Sequence, residues 1–128
     1  PYVGDLVVSL SRSGVGEVTL LDRPGFPLAE FGCSGDDVAA TFDDGAPTDA
    51  EDACAAQPPA VFGRLRPNTA LAGLASGSGD GVWRLVVRDA SSQDVGALVR
   101  WCLRFDEAAA PPASPCCAAA GTPGCGVA

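Results

Sequence analysis

Apolar and polar residues alternate with a period of two along several segments of the chain, a pattern typical of strands that bury one face. In residues 2–10 the alternation places Leu6, Val8 and Leu10 on one face, and residues 17–21 alternate again after a polar turn that contains glycine. Two runs of this kind across a short turn predict a β-hairpin.

A second hairpin is predicted towards the end of the chain, from residues 81–89 and 97–105 on either side of a polar turn. Inward-facing aromatic side chains usually belong to the core, and exposure for stacking on a sugar is the less common use. Trp83 and Trp101 are therefore predicted to be structural core residues. Alternation gives them these inward-facing neighbours: Leu85, Val87, Val99, Leu103 and Phe105.

The middle of the chain is less regular. Loop residues dominate positions 22–59, and within them residues 38–42 are a strand candidate. Residues 60–65 predict a further strand, and residues 68–75 predict a helical turn that buries its leucines. Short strands separated by Gly-rich and Pro-rich turns indicate an all-β fold.

Composition changes sharply after residue 105. Residues 106–128 are mainly Ala, Pro, Gly and Cys, with almost no bulky apolar side chain. Such a segment cannot bury enough surface to offset its ordering entropy. The 128 residues therefore divide into one β domain over residues 1–105 and a low-complexity tail over residues 106–128.

Charge and missing residue types restrict the function. The chain has 16 acidic residues against 8 basic ones, all arginine, and a net charge of −8. An acidic surface repels nucleic acid and anionic lipid, so neither is an expected partner. Without His or Lys the chain cannot form a Ser-His-Asp, Cys-His or Ser-Lys centre. We expect no complete active site here, and no apolar run reaches the roughly 18 residues of a membrane span.

Six cysteines in a short acidic chain indicate an oxidising, extracellular compartment. A bridge between Cys33 and Cys54 is the favoured pairing, because it would close a loop of about 20 residues and contribute roughly 3 kcal/mol. A Cys₄ zinc site is the alternative for the remaining cysteines, but two adjacent cysteines are poorly spaced as ligands. We expect Cys102 to bridge to one of the tail cysteines, Cys116, Cys117 or Cys125.

Carboxylates are concentrated in residues 36–52, which contain no basic residue. Oxygen-rich loops suit Ca²⁺, which takes 6–8 hard ligands in flexible geometry. A solvated acidic loop is the alternative, and a glycosidase pair would need a cleft with aromatic side chains, which make up only 6% of the chain. The candidate calcium ligands are Asp36, Asp37, Asp43 and Asp44, and the same stretch holds Asp49, Glu51 and Asp52.

Two further aspartates have structural interpretations. Asp5 places a charge within an apolar strand, which is costly unless the carboxylate is hydrogen-bonded or bound to a metal. We expect it to accept backbone N–H groups from a neighbouring turn. Asp89 ends the Trp83 strand and is expected to cap the turn that follows, with a ligand role as the less common alternative.

Four stretches, taken in order, resemble a known family, the P domain (or P/Homo B domain) that follows the catalytic domain of subtilisin-like proprotein convertases and many bacterial secreted serine proteases. The stretches are YVGDLVVSL at residues 2–10, FDD at 42–44, GVWRLVVRD at 81–89, and DVGAL leading into WCL over 94–103. The resemblance covers residues 1–105.

The resemblance implies a jelly-roll β-sandwich of the galactose-binding-like type that stabilises or modulates an adjoining subtilisin-like catalytic domain in cis. It implies no catalysis in this chain, since the family's triad belongs to that other domain. Some bacterial relatives resemble calcium binders, which supports calcium as a cofactor.

The chain departs from the family pattern in two places. The family has strands before the segment that matches residues 2–10, so the chain is expected to be an excerpt of a secreted protein with an exposed sheet edge. Residues 76–80 replace the family's acidic loop, which weakens a ligand role there. The alternative function is a free-standing extracellular binding or adhesion module, since jelly rolls serve many functions.

Overall fold

The structure is a computed structural model that describes residues 2–92 and 94–105. Within this part of the chain the regular structure consists of strands and short 3₁₀-helices, so the predicted all-β class is confirmed. The strands are β1 (Leu6–Arg12), β2 (Gly16–Asp22), β3 (Val38–Phe42), β4 (Val61–Leu65) and β5 (Trp83–Asp89). The 3₁₀-helices are η1 (Val3–Asp5), η2 (Ala50–Asp52) and η3 (Leu71–Leu74).

The larger sheet is antiparallel, with strand order β2-β1-β5. Its first two strands are the predicted hairpin. Val8 of β1 is opposite Leu21 and Ser9 is opposite Thr19, so Leu20 is the extra residue of a β-bulge. A bulge redirects the side chains around it. As a result the adjacent Leu20 and Leu21 are both buried, at 5% and 0% exposure, where strict alternation would bury only one of them.

The smaller sheet is a parallel pair of β3 and β4, in register from Val38 opposite Val61 to Phe42 opposite Leu65. Both strands were predicted as strands, but their parallel pairing was not. The described residues thus give a three-stranded antiparallel sheet and a two-stranded parallel sheet. A jelly roll contains eight antiparallel strands in two sheets, and these five strands are not arranged as a complete one.

The core lies between the larger sheet, the smaller sheet and η3. The predicted helical turn is present as η3, with Leu74 buried and Leu71 partly buried against the core. Burial of one such aliphatic side chain contributes about 1.5–3 kcal/mol. The core residues are Val3, Val8, Leu10, Val18, Leu20, Leu21, Cys33, Ala50, Ala60, Val61, Leu65 and Leu74.

The strand predicted over residues 97–105 is not formed, and Trp101 is not a core residue. Val99 is 94% exposed and Trp101 is 41% exposed. The end of the segment still returns to β5, since the ring of Phe105 lies 5.6 Å from the ring of Trp83 at the start of that strand. Of the predicted inward face, Leu103 packs against the core, whereas Val99 and Trp101 stay exposed. Alternation creates a buried face only where another layer covers it.

The start of β1 also differs from the prediction. Residues 3–5 form η1, and the strand begins only at Leu6. Gly4 donates its N–H to the carbonyl of Cys33 at 2.8 Å, and a Cβ at Gly4 would lie 2.4 Å from the Cys33 nitrogen. This close approach requires glycine and turns the chain out of the extended conformation. It also determines the position of Asp5.

Candidate functional site

Asp43 and Asp44 each link this loop to a segment that is distant in the sequence. Asp43 accepts the Gly45 N–H at 2.7 Å and pairs with Arg64 at 2.8 Å. The Gly45 N–H first, and Arg64 second, lower the pKa of Asp43. Asp44 accepts two N–H groups at the start of η3, from Leu71 at 2.7 Å and from the next residue at 2.8 Å.

The four predicted calcium ligands are not gathered around one point. Asp36 accepts the Asp37 N–H at 2.8 Å, and Asp37 adopts a left-handed conformation with φ of 64°. Among residues 2–92 and 94–105, no three His, Cys, Asp or Glu side chains lie close enough to hold a metal ion together. Instead, Asp36 and Asp37 lie in a loop, Asp44 caps η3, and Asp43 forms a salt bridge.

The remaining carboxylates of that stretch line a surface cleft of about 480 Å³ beside η2. Asp49 pairs with Arg66 at 2.5 Å, and this hydrogen bond lowers the pKa of Asp49. Glu51 accepts the Asp22 N–H at 2.8 Å, and burial raises the pKa of Glu51. The lining residues include no aromatic side chain that could stack on a sugar.

Asp5 is the most unusual carboxylate of the described chain. It is 7% exposed, and its Oδ1 has no hydrogen-bond partner among the described residues. The expected N–H donors from a neighbouring turn therefore do not reach this oxygen. Burial, followed by the charge of Asp89, raises the pKa of Asp5. Asp89 itself accepts the Ser91 N–H at 2.9 Å, as expected for a residue that caps the turn after β5.

Sequence reasoning missed the role of Arg12. Its guanidinium is buried and donates to the carbonyl oxygens of Leu74 at 3.0 Å and Asp80 at 2.8 Å, and also to that of Ser76. It lies 5.3 Å from the centre of the Trp83 ring. The period-two pattern contained the signal, because Arg12 follows Leu10 on the inward face of β1.

The cysteines agree with the prediction where the structure describes them. Cys33 and Cys54 form a disulfide with Cα atoms 5.6 Å apart, so the favoured pairing is confirmed. Cys102 is exposed and has no disulfide partner within the described part of the chain. Its predicted partners Cys116, Cys117 and Cys125 lie outside the described residues.

No protein-family model, curated protein or solved structure matches the chain. None of the helices in residues 2–92 and 94–105 is long and apolar enough to cross a membrane.

Proposed function

We propose that this chain is a non-catalytic P-domain module of a secreted subtilisin-like serine protease. The observation that carries the proposal is the pairing of β1 with β5, in which Leu6 lies opposite Asp89 and Arg12 opposite Trp83. Residues 2–10 and 81–89, two of the four stretches that carry the resemblance to the family, thus contribute neighbouring strands despite their distance in sequence. This pairing supports the interpretation that both stretches belong to one domain of that family.

The proposed complete fold is a jelly-roll sandwich, to which the antiparallel sheet of β2, β1 and β5 would contribute. Within residues 2–92 and 94–105 both sheets have unpaired edge strands, which supports this proposal because sheets rarely leave long edges unprotected. The disulfide between Cys33 and Cys54 supports an extracellular location, since such bridges persist in oxidising compartments.

In the full-length protein the module would stabilise or modulate the catalytic domain. Apolar side chains exposed in β5 and in residues 95–105 support a contact with another domain, because exposed apolar surface can mark an interface. They are Val86, Val87, Val95, Leu98, Val99, Trp101 and Phe105. The chain itself supplies no His or Lys for proteolysis.

The test compares the parent protein with and without the module. We expect a subtilisin-type catalytic domain in the same reading frame, and faster thermal inactivation of its peptidase activity once residues 1–105 are deleted. The isolated chain should cleave no peptide. A parent protein without a protease domain, or one whose inactivation rate is unchanged by the deletion, would reject the proposal.

A free-standing adhesion module is the second candidate, and the exposed indole of Trp101 is the observation that favours it. An exposed aromatic side chain can stack on a sugar ring. Glycan binding that Trp101→Ala abolishes would support this function. Glycan binding unaffected by that substitution, or none at all, would leave the accessory role as the better explanation.

A further inference from the structure

The outer edge of β5 is open in the described part of the chain. β5 lies at one end of the sheet order β2-β1-β5, so it pairs with a strand on one side only. Val86 and Val87 point to opposite faces of the sheet and are 42% and 44% exposed, so the middle of the strand is covered on neither face. Residues 95–105 return to Trp83 through Phe105 without forming a ladder along this edge. An open edge of this kind can accept a further strand.

The backbone groups that face this edge follow from the hydrogen bonds on the other side of β5. In an antiparallel pair, residues that bond to the partner strand alternate with residues whose N–H and C=O point away from it. The carbonyl of Val82 and the N–H of Ala90 both bond towards the β1 side, at 2.9 and 2.8 Å, so the even-numbered residues between them also face β1. The N–H and C=O groups of Leu85 and Val87 therefore point to the open edge, and no described residue bonds to them there.

Arg84 and Arg88 place two positive charges beside this edge. Both side chains are exposed and lie on the outer face of the sheet, with Val86 between them. Neither forms a salt bridge with a described residue, unlike Arg64 of β4, which pairs with Asp43. The chain as a whole carries a net charge of −8, so these two arginines form a local basic surface on an acidic protein.

The two features together select the kind of partner. Two β5 strands paired antiparallel about Val86 would set Arg84 opposite Arg88 of the second copy, and like charges directly opposite destabilise a strand pair. A nucleic acid matches the arginines but offers no peptide groups to Leu85 and Val87, and the net charge repels it. An extended acidic peptide matches both, because an added strand binds through main-chain hydrogen bonds and gains specificity from alternate side chains.

We propose that the open edge of β5 binds an extended acidic peptide segment as an additional antiparallel strand. The peptide residues opposite Arg84 and Arg88 are acidic, and the residue midway between them is apolar and lies opposite Val86. These three positions are non-hydrogen-bonded pairs, in which opposite side chains approach most closely. The two intervening residues pair with Leu85 and Val87 through the main chain. The recognised pattern is therefore acid-x-apolar-x-acid, and the edge presents it whether or not a protease domain accompanies the chain.

The experiment titrates the full chain into a capped, fluorescently labelled peptide that contains Glu-Thr-Val-Thr-Glu, and into the matched peptide with lysine in place of both glutamates. We expect the glutamate peptide to bind, more weakly as the ionic strength rises, and the lysine peptide to bind at least about tenfold more weakly. Arg84→Ala and Arg88→Ala should each weaken binding of the glutamate peptide about 2- to 5-fold. Arg64→Ala makes the same charge change on the smaller sheet and should leave binding unchanged. Thermal melts should stay near the wild type for these variants, because the substituted side chains are exposed.

N-methylated peptides separate strand pairing from simple charge attraction. The N–H groups of the second and fourth peptide residues face β5, so N-methylation of either threonine should abolish binding. The N–H of the central valine points away from β5, and its N-methylation should be tolerated. Joint reversal of both charges, Arg84→Glu with Arg88→Glu, should transfer binding to the lysine peptide.

Several results would overturn the proposal. The first is failure of the glutamate peptide to bind, and the second is binding that survives N-methylation of the threonines. A sulfated polysaccharide that binds through Arg84 and Arg88 while neither peptide binds would assign this surface to polyanions instead. A chain that sediments as a dimer at the assay concentration and excludes the peptide would assign the edge to a second copy.

Discussion

The carboxylate of Asp44 accepts the backbone N–H of Leu71 at 2.7 Å, across 27 positions of sequence. The second oxygen of the same carboxylate accepts the N–H of Ala72 at 2.8 Å. The first turn of a helix has N–H groups with no partner inside the helix, and an acceptor from elsewhere in the chain satisfies them. Asp44 thereby fixes η3, which covers the core with Leu74.

Removal of this acceptor should destabilise the domain. We expect Asp44→Ala to lower the free energy of unfolding by about 1 kcal/mol, the usual cost of a lost helix cap. Asp44→Asn retains one acceptor oxygen and should lose about half as much. Urea denaturation followed by tryptophan fluorescence measures both values. Equal stabilities of the alanine variant and the wild type would contradict the capping role.

Arg12 should be more important for stability than any exposed arginine. Arg12→Met keeps the apolar stem but leaves the carbonyls of the 74–80 loop without their donor, at a cost of about 2–3 kcal/mol. Arg100 is exposed and provides the matched control, since Arg100→Met should change stability by less than about 0.5 kcal/mol. Backbone hydrogen exchange in the 74–80 loop should be faster in Arg12→Met than in the wild type, and unchanged in Arg100→Met. Similar effects from Arg12→Met and Arg100→Met would argue against this role of Arg12.

The sequence predicted the strands best where local pattern and packing agree. The hairpin of β1 and β2, the strands β3 and β4, and the turn η3 all follow apolar patterns that the core then covers. The parallel pairing of β3 with β4 could not be predicted, because register between distant strands depends on which surfaces meet. Arg12 was missed because the residues after Leu10 resemble a turn, although the alternation continues through that position.

The candidate site was the least predictable part of the molecule. The composition of residues 36–52 identified the acidic stretch. In the structure its carboxylates do not face one another and instead accept hydrogen bonds from Gly45, Arg64 and Leu71. Asp5 was recognised as a costly charge, yet its unpartnered oxygen depends on the 3₁₀ turn at Gly4. That turn results from contact with Cys33, a tertiary effect that no local pattern contains.

The disulfide should be a major source of stability. Cys33→Ser with Cys54→Ser opens a bridge with a sequence separation of 21, and should cost about 2–4 kcal/mol. Cys102→Ser is the control and should leave the melt unchanged, because Cys102 is exposed and has no described partner. Thermal melts with and without reductant compare the three proteins. A reductant-insensitive wild-type melt would argue against the bridge.

The salt bridge of Asp43 predicts a specific loss of stability in acid. Hydrogen bonds from the Gly45 N–H and then from Arg64 hold the pKa of Asp43 below its ordinary value of 3.8. A lowered folded-state pKa contributes stability above the unfolded-state pKa, and this contribution is lost as the pH falls through the folded-state pKa. Asp43→Asn should therefore flatten the fall of the melting temperature below about pH 4. A fall in Asp43→Asn as steep as in the wild type would contradict this role of the salt bridge.

Truncation of the two tryptophans should differ strongly in its cost to stability. Trp83 is half-buried against the core and donates its Nε1–H to the Gly79 carbonyl at 3.0 Å, so Trp83→Ala should cost about 3 kcal/mol. Trp101 is 41% exposed on a segment that forms no strand, and Trp101→Ala should cost less than about 0.5 kcal/mol. Acrylamide should quench the fluorescence that remains in Trp83→Ala more strongly than that in Trp101→Ala. If Trp101 were protected from the quencher and costly to remove, residues 97–105 would instead form the covered strand that their alternation predicts.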